Sequence, residues 1–172
     1  MTGDTFIVVM GVSGAGKTEI ASGLARELDC PWLEADELHS PENIVRMRSG
    51  HGLSDEARWP WLASVCDEAV ALSQRPAVIA CSALKRRYRD FIRERLGQVH
   101  FIFLDGAAEI IAARLANRKG HYAGVSLLDS QLEALEPPEP DEQALHLSIG
   151  LMPADIIRAA VKSLTQLRAI KT

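Results

Sequence analysis

The segment FIVVMGVSGAGKT, residues 6–18, decides the fold class of this chain. Its first five residues are apolar and continuous, which is typical of a short strand buried on both faces of a sheet. Residues 11–18 match the pattern G-x-x-x-x-G-K-[ST] of a phosphate-binding loop, and a helical pattern begins near Gly16. Because the motif lies between a strand and a helix, we interpret it as a nucleotide site rather than a chance glycine-rich turn.

The loop is expected to bind a phosphate chain through its backbone and two side chains. Its glycines permit conformations and close approaches that a Cβ would prevent, so that successive N–H groups turn inward toward an anion. Lys17 would reach the β- and γ-phosphates, and the hydroxyl of Thr18 would bind Mg²⁺. The predicted nucleotide site comprises Gly11, Ser13, Gly14, Ala15, Gly16, Lys17, Thr18 and Glu19.

Length and composition favour a single globular domain, residues 1–172. The chain has 172 residues, 47% of them hydrophobic, and a net charge of −4, which argues against a nucleic-acid-binding surface. No apolar run approaches the roughly 18 residues of a membrane span, so we expect no membrane partner. Three cysteines occur without a C-x-x-C motif, which favours reduced thiols in a reducing cytoplasm.

Buried strand patterns alternate with helical patterns along the chain. This alternation predicts an α/β fold with a mainly parallel sheet and helices on both faces. Ligands in such folds bind beyond the carboxyl ends of the strands. The predicted strands are 6–10, 31–34, 77–81 and 99–104, with 144–149 as a candidate fifth strand. The predicted helices are 16–28, 41–48, 54–73, 85–96, 106–118, 127–135 and 153–170.

Acidic residues follow the predicted second strand. Asp36 could orient or deprotonate a substrate hydroxyl facing the γ-phosphate, and Glu34 could hold a Mg²⁺-bound water. The alternatives are a helix N-cap for Asp36 and an ordinary surface charge for Glu34.

Basic residues follow the third strand and precede a glycine-containing segment, 119–125. Arginine forks suit carboxylates and phosphates, which makes Arg58, Lys85 and Arg89 candidates for substrate contacts, although Arg86 and Arg87 fit a solvated helix face. Arg114 and Arg118 lie four apart, and cations on a closing lid would neutralise the transferred phosphoryl group. They would also be favourable near a helix C-terminus.

Several further segments resemble the gluconokinase family. They are LEADELH (33–39), NIVRM (43–47), RWPWL (58–62), CSALKRRYRD (81–90), RKGHY (118–122) and SQLEALEP (130–137). The resemblance implies a three-layer P-loop kinase fold with sheet order 2-3-1-4-5 and a small lid near residues 119–127. It also implies transfer of the γ-phosphate of ATP to the 6-hydroxyl of D-gluconate, giving 6-phospho-D-gluconate, by an enzyme that is commonly a homodimer.

The resulting interpretation is a magnesium-dependent ATP kinase of gluconate. A kinase of another hydroxy acid, such as shikimate, is an alternative, but residues 81–83 are Cys-Ser-Ala rather than the glycine triplet expected there. A nucleotide-dependent switch is disfavoured because residues 117–120 do not form an Asn-Lys-x-Asp motif.

The chain departs from the family pattern at Gly52, Ala57 and 123–125. The predicted catalytic residues are Lys17, Asp36, Arg114 and Arg118, and the predicted substrate contacts are Asp36, His39, Arg58, Lys85, Arg89 and His121.

Overall fold

The structure is a computed structural model that describes residues 5–117 and 124–171. Strands and helices alternate from β1 to α7, as the sequence predicts. The strands are β1 (Thr5–Met10), β2 (Trp32–Glu34), β3 (Ala77–Ala80), β4 (Gln98–Asp105) and β5 (Leu145–Ser148). The helices are α1 (Lys17–Leu28), α2 (Pro41–Arg48), α3 (Asp55–Ala71), α4 (Arg86–Leu96), α5 (Ala108–Ala116), α6 (Gly124–Ala134) and α7 (Pro153–Lys171), with 3-10 turns at Ala35–Leu38 and Pro140–Glu142.

The five strands form one sheet in the order β2-β3-β1-β4-β5, and every neighbouring pair is parallel. The predicted strand order and the fifth strand are therefore confirmed. β1 lies at the centre, where Val8 pairs with Ile79 of β3 and Phe101 of β4. This position places the loop that follows β1 at the middle of the carboxyl edge.

Both faces of the sheet are buried, which explains the continuous apolar strand patterns. Ile7 and Val9 of β1 point into a cluster with α1, α5, α6 and α7. Phe6, Val8 and Met10 point the other way, into a cluster with α3 and α4. Because side chains alternate across a strand, the fold needs apolar residues at every position from Phe6 to Met10.

Serine caps fix the starts of two helices near the sheet edge. Ser40 precedes Pro41 and accepts the N–H of Asn43 at 3.1 Å, which confirms the predicted start of α2. Ser54 accepts the N–H of Ala57 at 3.2 Å, and α3 then continues through Pro60 without a break.

Two predicted helix starts are wrong by two or three residues, and α3 ends at Ala71 rather than 73. Helix α5 begins at Ala108 rather than 106, because Ala107 is still extended, with φ −63° and ψ 138°, and forms the N-cap position. Gly106 packs against Ile149, where a Cβ would come within 2.1 Å of Ile149 Cγ1. Helix α6 begins at Gly124 rather than 127, so the end of the predicted lid is helical. None of the helices formed by the described residues combines the length and the apolar composition that a membrane crossing requires.

Candidate active site

The loop between β1 and α1 has the conformation that its glycines permit. Gly14 and Gly16 have φ angles of 85° and 96°, in the left-handed region that disfavours residues with a Cβ. Gly14 also lies against α5, where a Cβ would come within 2.8 Å of Leu115 Cγ. Lys17 donates to the carbonyl oxygen of Val12 at 3.0 Å, which holds its ammonium over the loop.

Glu34 connects this loop to the end of β2. One of its carboxylate oxygens accepts the hydroxyl of Thr18, and the other accepts the backbone N–H of Asp36 at 3.3 Å. Burial raises the pKa of Glu34, while the hydrogen bond from Thr18 opposes that rise. A hydroxyl beside a carboxylate is a hard oxygen donor set, which fits Mg²⁺.

Asp36 lies in the 3-10 turn that follows β2. Its side chain is 42% exposed, whereas the capping role belongs to Glu34, whose carboxylate accepts the N–H of Asp36. The alternative interpretation of Asp36 as a helix N-cap is therefore wrong. The carboxylate of Asp36 remains accessible in this turn.

His39 is buried next to Asp36. Its ring stacks on Trp61 with centroids 4.1 Å apart and an interplanar angle of 16°. Burial lowers the pKa of His39 to about 4; Asp36 opposes the shift and the charge of Arg58 adds to it. His39 is therefore neutral at pH 7.

A group of cations surrounds Tyr88 and Asp55 at the ends of α3 and α4, and we call it the Asp55 cluster. Arg58 is buried and donates to the hydroxyl of Tyr88 at 3.0 Å, and that hydroxyl donates to Asp55. Lys85 lies 3.3 Å from the same carboxylate, which also accepts from Arg87. The pKa of Asp55 is lowered mainly by the hydrogen bond from Tyr88. The hydrogen bond from Lys85 and the charges of Lys85 and Arg87 lower it further. Lys85 and Arg87 contact this carboxylate directly, and Arg58 is linked to it through the hydroxyl of Tyr88. Three cations thus lie around one carboxylate, so the cluster favours an added anion.

Arg89 does not lie among these groups, and its prediction as a substrate contact is corrected. Its side chain is 0% exposed and forms a two-pronged ion pair with Glu142, at 2.7 and 3.0 Å. Its remaining bonds go to the carbonyl oxygens of Ala83 and Leu84. Four of its five N–H groups are thereby used in holding segment 136–142 against α4.

The predicted lid residues are only partly visible. Arg114 is exposed on α5 and donates to the carbonyl oxygen of Ile149 at 2.8 Å. Arg118, His121 and residues 119–123 of the predicted lid lie outside the described residues. Whether these cations contact phosphate remains a prediction.

Two side chains that the sequence left without a role hold segments around the loop. Gln131 of α6 accepts the backbone N–H of Ser13 within the loop. Glu136 accepts the N–H of Arg86, the first residue of α4, at 2.9 Å. Both lie in the segment SQLEALEP, whose resemblance to the family was the only signal that they are more than polar surface residues.

Gly52, a departure from the family pattern, lies where the α2–α3 connection touches α6. A Cβ at Gly52 would come within 2.2 Å of Ser130 Oγ, and one at Gly50 within 2.7 Å of Ser126 Cβ. The small residue thus accompanies a close contact between this connection and α6.

A phosphate-binding loop at the centre of a parallel sheet in the order 2-3-1-4-5, flanked by an acidic strand end, defines a P-loop kinase of the three-layer α/β class. Residues 7–143 match the protein-family model described as an AAA domain. The chain is 47% identical over 145 residues to the thermosensitive gluconokinase of Escherichia coli K12, covering 83% of this chain and 77% of that protein. It therefore belongs to the gluconokinase family.

Two solved structures agree with this assignment. A gluconokinase from Sinorhizobium meliloti 1021 is 42% identical and superposes with a TM-score of 0.84 over 95% of this chain and 93% of that one. Shikimate kinase from Aquifex aeolicus is 17% identical, with a TM-score of 0.61 over 95% of this chain and 98% of that one, and shares the fold alone.

Proposed function

We propose that this chain transfers the γ-phosphate of ATP to the 6-hydroxyl of D-gluconate, giving 6-phospho-D-gluconate. The observation that carries the proposal is the position of Glu34, whose two oxygens join Thr18 of the phosphate-binding loop to the turn that holds Asp36. The carboxylate of Glu34 thereby connects the loop that would bind the phosphate donor to the turn that carries the candidate base, Asp36. Family membership supplies the acceptor, since the Escherichia coli relative is named a gluconokinase.

The donor half of the site is the loop itself. The backbone N–H groups at the start of α1 and the dipole of that helix would favour the phosphates, and Lys17 would leave the carbonyl of Val12 to bind the β- and γ-phosphates. Thr18 would hold Mg²⁺ directly and Glu34 through a water. When bound, Mg²⁺ neutralises charge that develops on the phosphates during transfer.

The acceptor half combines a base with a cation cluster. Asp36 is exposed enough to accept the proton of the attacking hydroxyl. The carboxylate of a sugar acid would suit the cations of the Asp55 cluster, in which Lys85, at 23% exposed, is more accessible than the buried Arg58. Arg114, Arg118 and His121 complete the proposal as cations that close over the phosphates.

We also propose a cytoplasmic homodimer. Cys66 and Cys81 are buried thiols, and burial raises their pKa values to about 11 and 12, so they stay protonated at neutral pH. Free thiols of this kind are typical of proteins in a reducing compartment. The dimer follows the common state of the family and is tested by light scattering of the purified protein.

The substrate is tested with a panel of acceptors in a coupled assay that measures ADP release. The panel contains D-gluconate, other sugar acids and shikimate, each with ATP and Mg²⁺. Turnover of gluconate at the highest kcat/KM is expected. If gluconate is inert and another acid is phosphorylated, the proposed acceptor is wrong while the kinase assignment stands.

The role of Asp36 is tested by Asp36→Asn, which keeps the shape of the side chain and removes the base. We expect kcat to fall by roughly 10²–10⁴-fold with a nearly unchanged KM for ATP. Glu37→Gln is the matched control, because Glu37 is an exposed carboxylate in the same turn and should retain activity. A wild-type kcat in Asp36→Asn would remove Asp36 from the catalytic residues.

A further inference from the structure

The contacts of the buried Asn43 side chain show which end of its amide is the nitrogen and which is the oxygen. Its Nδ2 lies 3.3 Å from the carbonyl oxygen of Ala57 and 3.4 Å from Nδ1 of His39. A carbonyl oxygen only accepts, so the atom of Asn43 that faces Ala57 is the amide nitrogen rather than the amide oxygen. The second hydrogen of that nitrogen then faces His39, and Nδ1 of His39 must offer a lone pair.

The lone pair on Nδ1 fixes the tautomer of the ring. A neutral imidazole carries one hydrogen, which must then lie on Nε2. Nε2 is 3.9 Å from Oδ1 of Asp36. The stacked Trp61 holds the plane of the ring, and Trp61 is itself anchored by a 2.7 Å bond to the carbonyl oxygen of Ala35.

Protonation of both ring nitrogens is unfavourable in this position. A hydrogen on Nδ1 would meet the amide hydrogen of Asn43, and the side chain of His39 is only 3% exposed. Two charged groups act on the ring: the carboxylate of Asp36 from the 3-10 turn and the guanidinium of Arg58 from α3. The carboxylate alone does not overcome burial, so the neutral ring persists.

We propose that Asn43 is a positioning residue for phosphoryl transfer: it holds neutral His39 in the Nε2–H tautomer, which directs an N–H at Asp36 and orients that carboxylate toward the acceptor hydroxyl. At 3.9 Å the N–H is not hydrogen-bonded to the carboxylate; it acts on Oδ1 as a dipole that favours the rotamer turned toward the ring and leaves the other oxygen to accept the hydroxyl proton. The opposite tautomer would present a lone pair to the carboxylate and release it. The inference rests on the catalytic role proposed above for Asp36.

The tautomer is measured directly by long-range ¹H–¹⁵N correlation of the histidine rings at pH 7, with His39 assigned from the spectrum of His39→Gln. The wild type is expected to show a protonated Nε2 and an unprotonated Nδ1. Asn43→Leu, of similar size and without a donor, is expected to show a substantial population of the Nδ1–H form. A wild-type ring with its hydrogen on Nδ1 overturns the proposal without reference to activity, even if the variant fails to fold.

Kinetics separate positioning from general loss of structure. Asn43→Leu is expected to lower kcat by roughly 10–100-fold with a KM for ATP within about twofold of wild type. Ser40→Ala is the matched control, because it removes the cap on the backbone N–H of Asn43 and leaves the side chain in place. An Asn43→Leu variant with wild-type kcat overturns the proposal.

A double variant shows whether Asn43 acts through Asp36. In Asp36→Asn, the further change Asn43→Leu should have little effect on kcat, since the base that it positions is gone. Independent, multiplying losses would mean that Asn43 does not act through Asp36 and would overturn the proposal. If Asp36→Asn alone keeps its kcat, the proposed base fails, and the mechanistic inference fails with it, while the ring spectra still report whether Asn43 sets the tautomer.

Discussion

Lys17 is the residue on which the donor half depends most directly. Its ammonium is held 3.0 Å from the carbonyl oxygen of Val12, within the loop that it would leave to reach phosphate. Lys17→Ala should lower kcat by at least about 100-fold, because it removes a cation aimed at the charge that develops in the transition state. The measurement is kcat with gluconate and saturating ATP, with circular dichroism to show an unchanged fold.

The control for this prediction is Lys162→Ala, which removes an exposed lysine on α7. It should leave kcat unchanged. Wild-type turnover in Lys17→Ala would show that the loop does not use this side chain in catalysis.

Single residues were predictable where the chemistry is local in sequence. The loop could be predicted because its glycines, Lys17 and Thr18 lie within eight consecutive positions. Arg89 was misassigned because its partner Glu142 is 53 residues away, and a pattern of charges does not reveal which pairs meet. The N-cap alternative for Asp36 failed for a related reason: a carboxylate two residues earlier, Glu34, already accepts its N–H.

At the scale of elements, segment 136–142 acts as a strap across the start of α4. Arg89 and Glu142 are both 0% exposed and form its buried anchor. Burial would raise the pKa of Glu142, but hydrogen bonds from Arg89 and the N–H of Glu139, with the charges of Arg89 and Arg93, lower it to about 2. The carboxylate is therefore charged at any pH where the protein is assayed.

Replacement of Glu142 should be strongly destabilising. Glu142→Gln leaves the guanidinium of Arg89 buried without its counter-charge, and we expect the free energy of unfolding in urea to fall by about 3–5 kcal/mol. Asp141→Asn is the matched control, because Asp141 and its partner Arg86 are 61% and 37% exposed and such pairs contribute roughly 0–1 kcal/mol. Equal losses in the two variants would contradict the anchoring role.

Elements were predictable in type and order, and their ends less so. Periodic apolar residues located the strands and most helices, because both sheet faces are buried. Just before α5, Ile149 packs where Gly106 has no side chain, and this contact is not encoded near residue 106. The link from Gln131 to the loop spans 118 residues and could be found only in three dimensions.

At the scale of the whole molecule, the sheet order brings together groups from distant parts of the chain. β1 lies between β3 and β4, so the loop after β1 meets the acidic end of β2 across β3. Helix α3 packs against the turn that follows β2, and its Trp61, which is 4% exposed, stacks on His39. Burial of this histidine links the active site to the acid stability of the fold.

The free energy of unfolding should therefore decrease as the pH falls from about 6.5 to 4. In the folded protein the pKa of His39 is lowered to about 4, from 6.5 when the ring is solvated, so in this window the unfolded chain binds a proton that the folded chain does not. Because the neutral ring is favoured in the folded state, the contribution of His39 to the free energy of unfolding is full above the unfolded pKa of 6.5. It is lost as the pH falls to the folded pKa of about 4. The His39 contribution is up to about 3 kcal/mol, at roughly 1.4 kcal/mol for each pH unit.

The measurement is urea unfolding of wild type and His39→Gln at a series of pH values between 7 and 4. Glutamine does not titrate in this range, so the difference between the two pH profiles isolates the histidine from the carboxylates, which both proteins share. Ser54→Ala, which removes the cap of α3, should lower the free energy of unfolding by about 1 kcal/mol at every pH and leave the slope unchanged. Parallel profiles for wild type and His39→Gln would mean that the ring takes up its proton without unfolding, and that the neutral ring beside Asp36 is not a requirement of the fold.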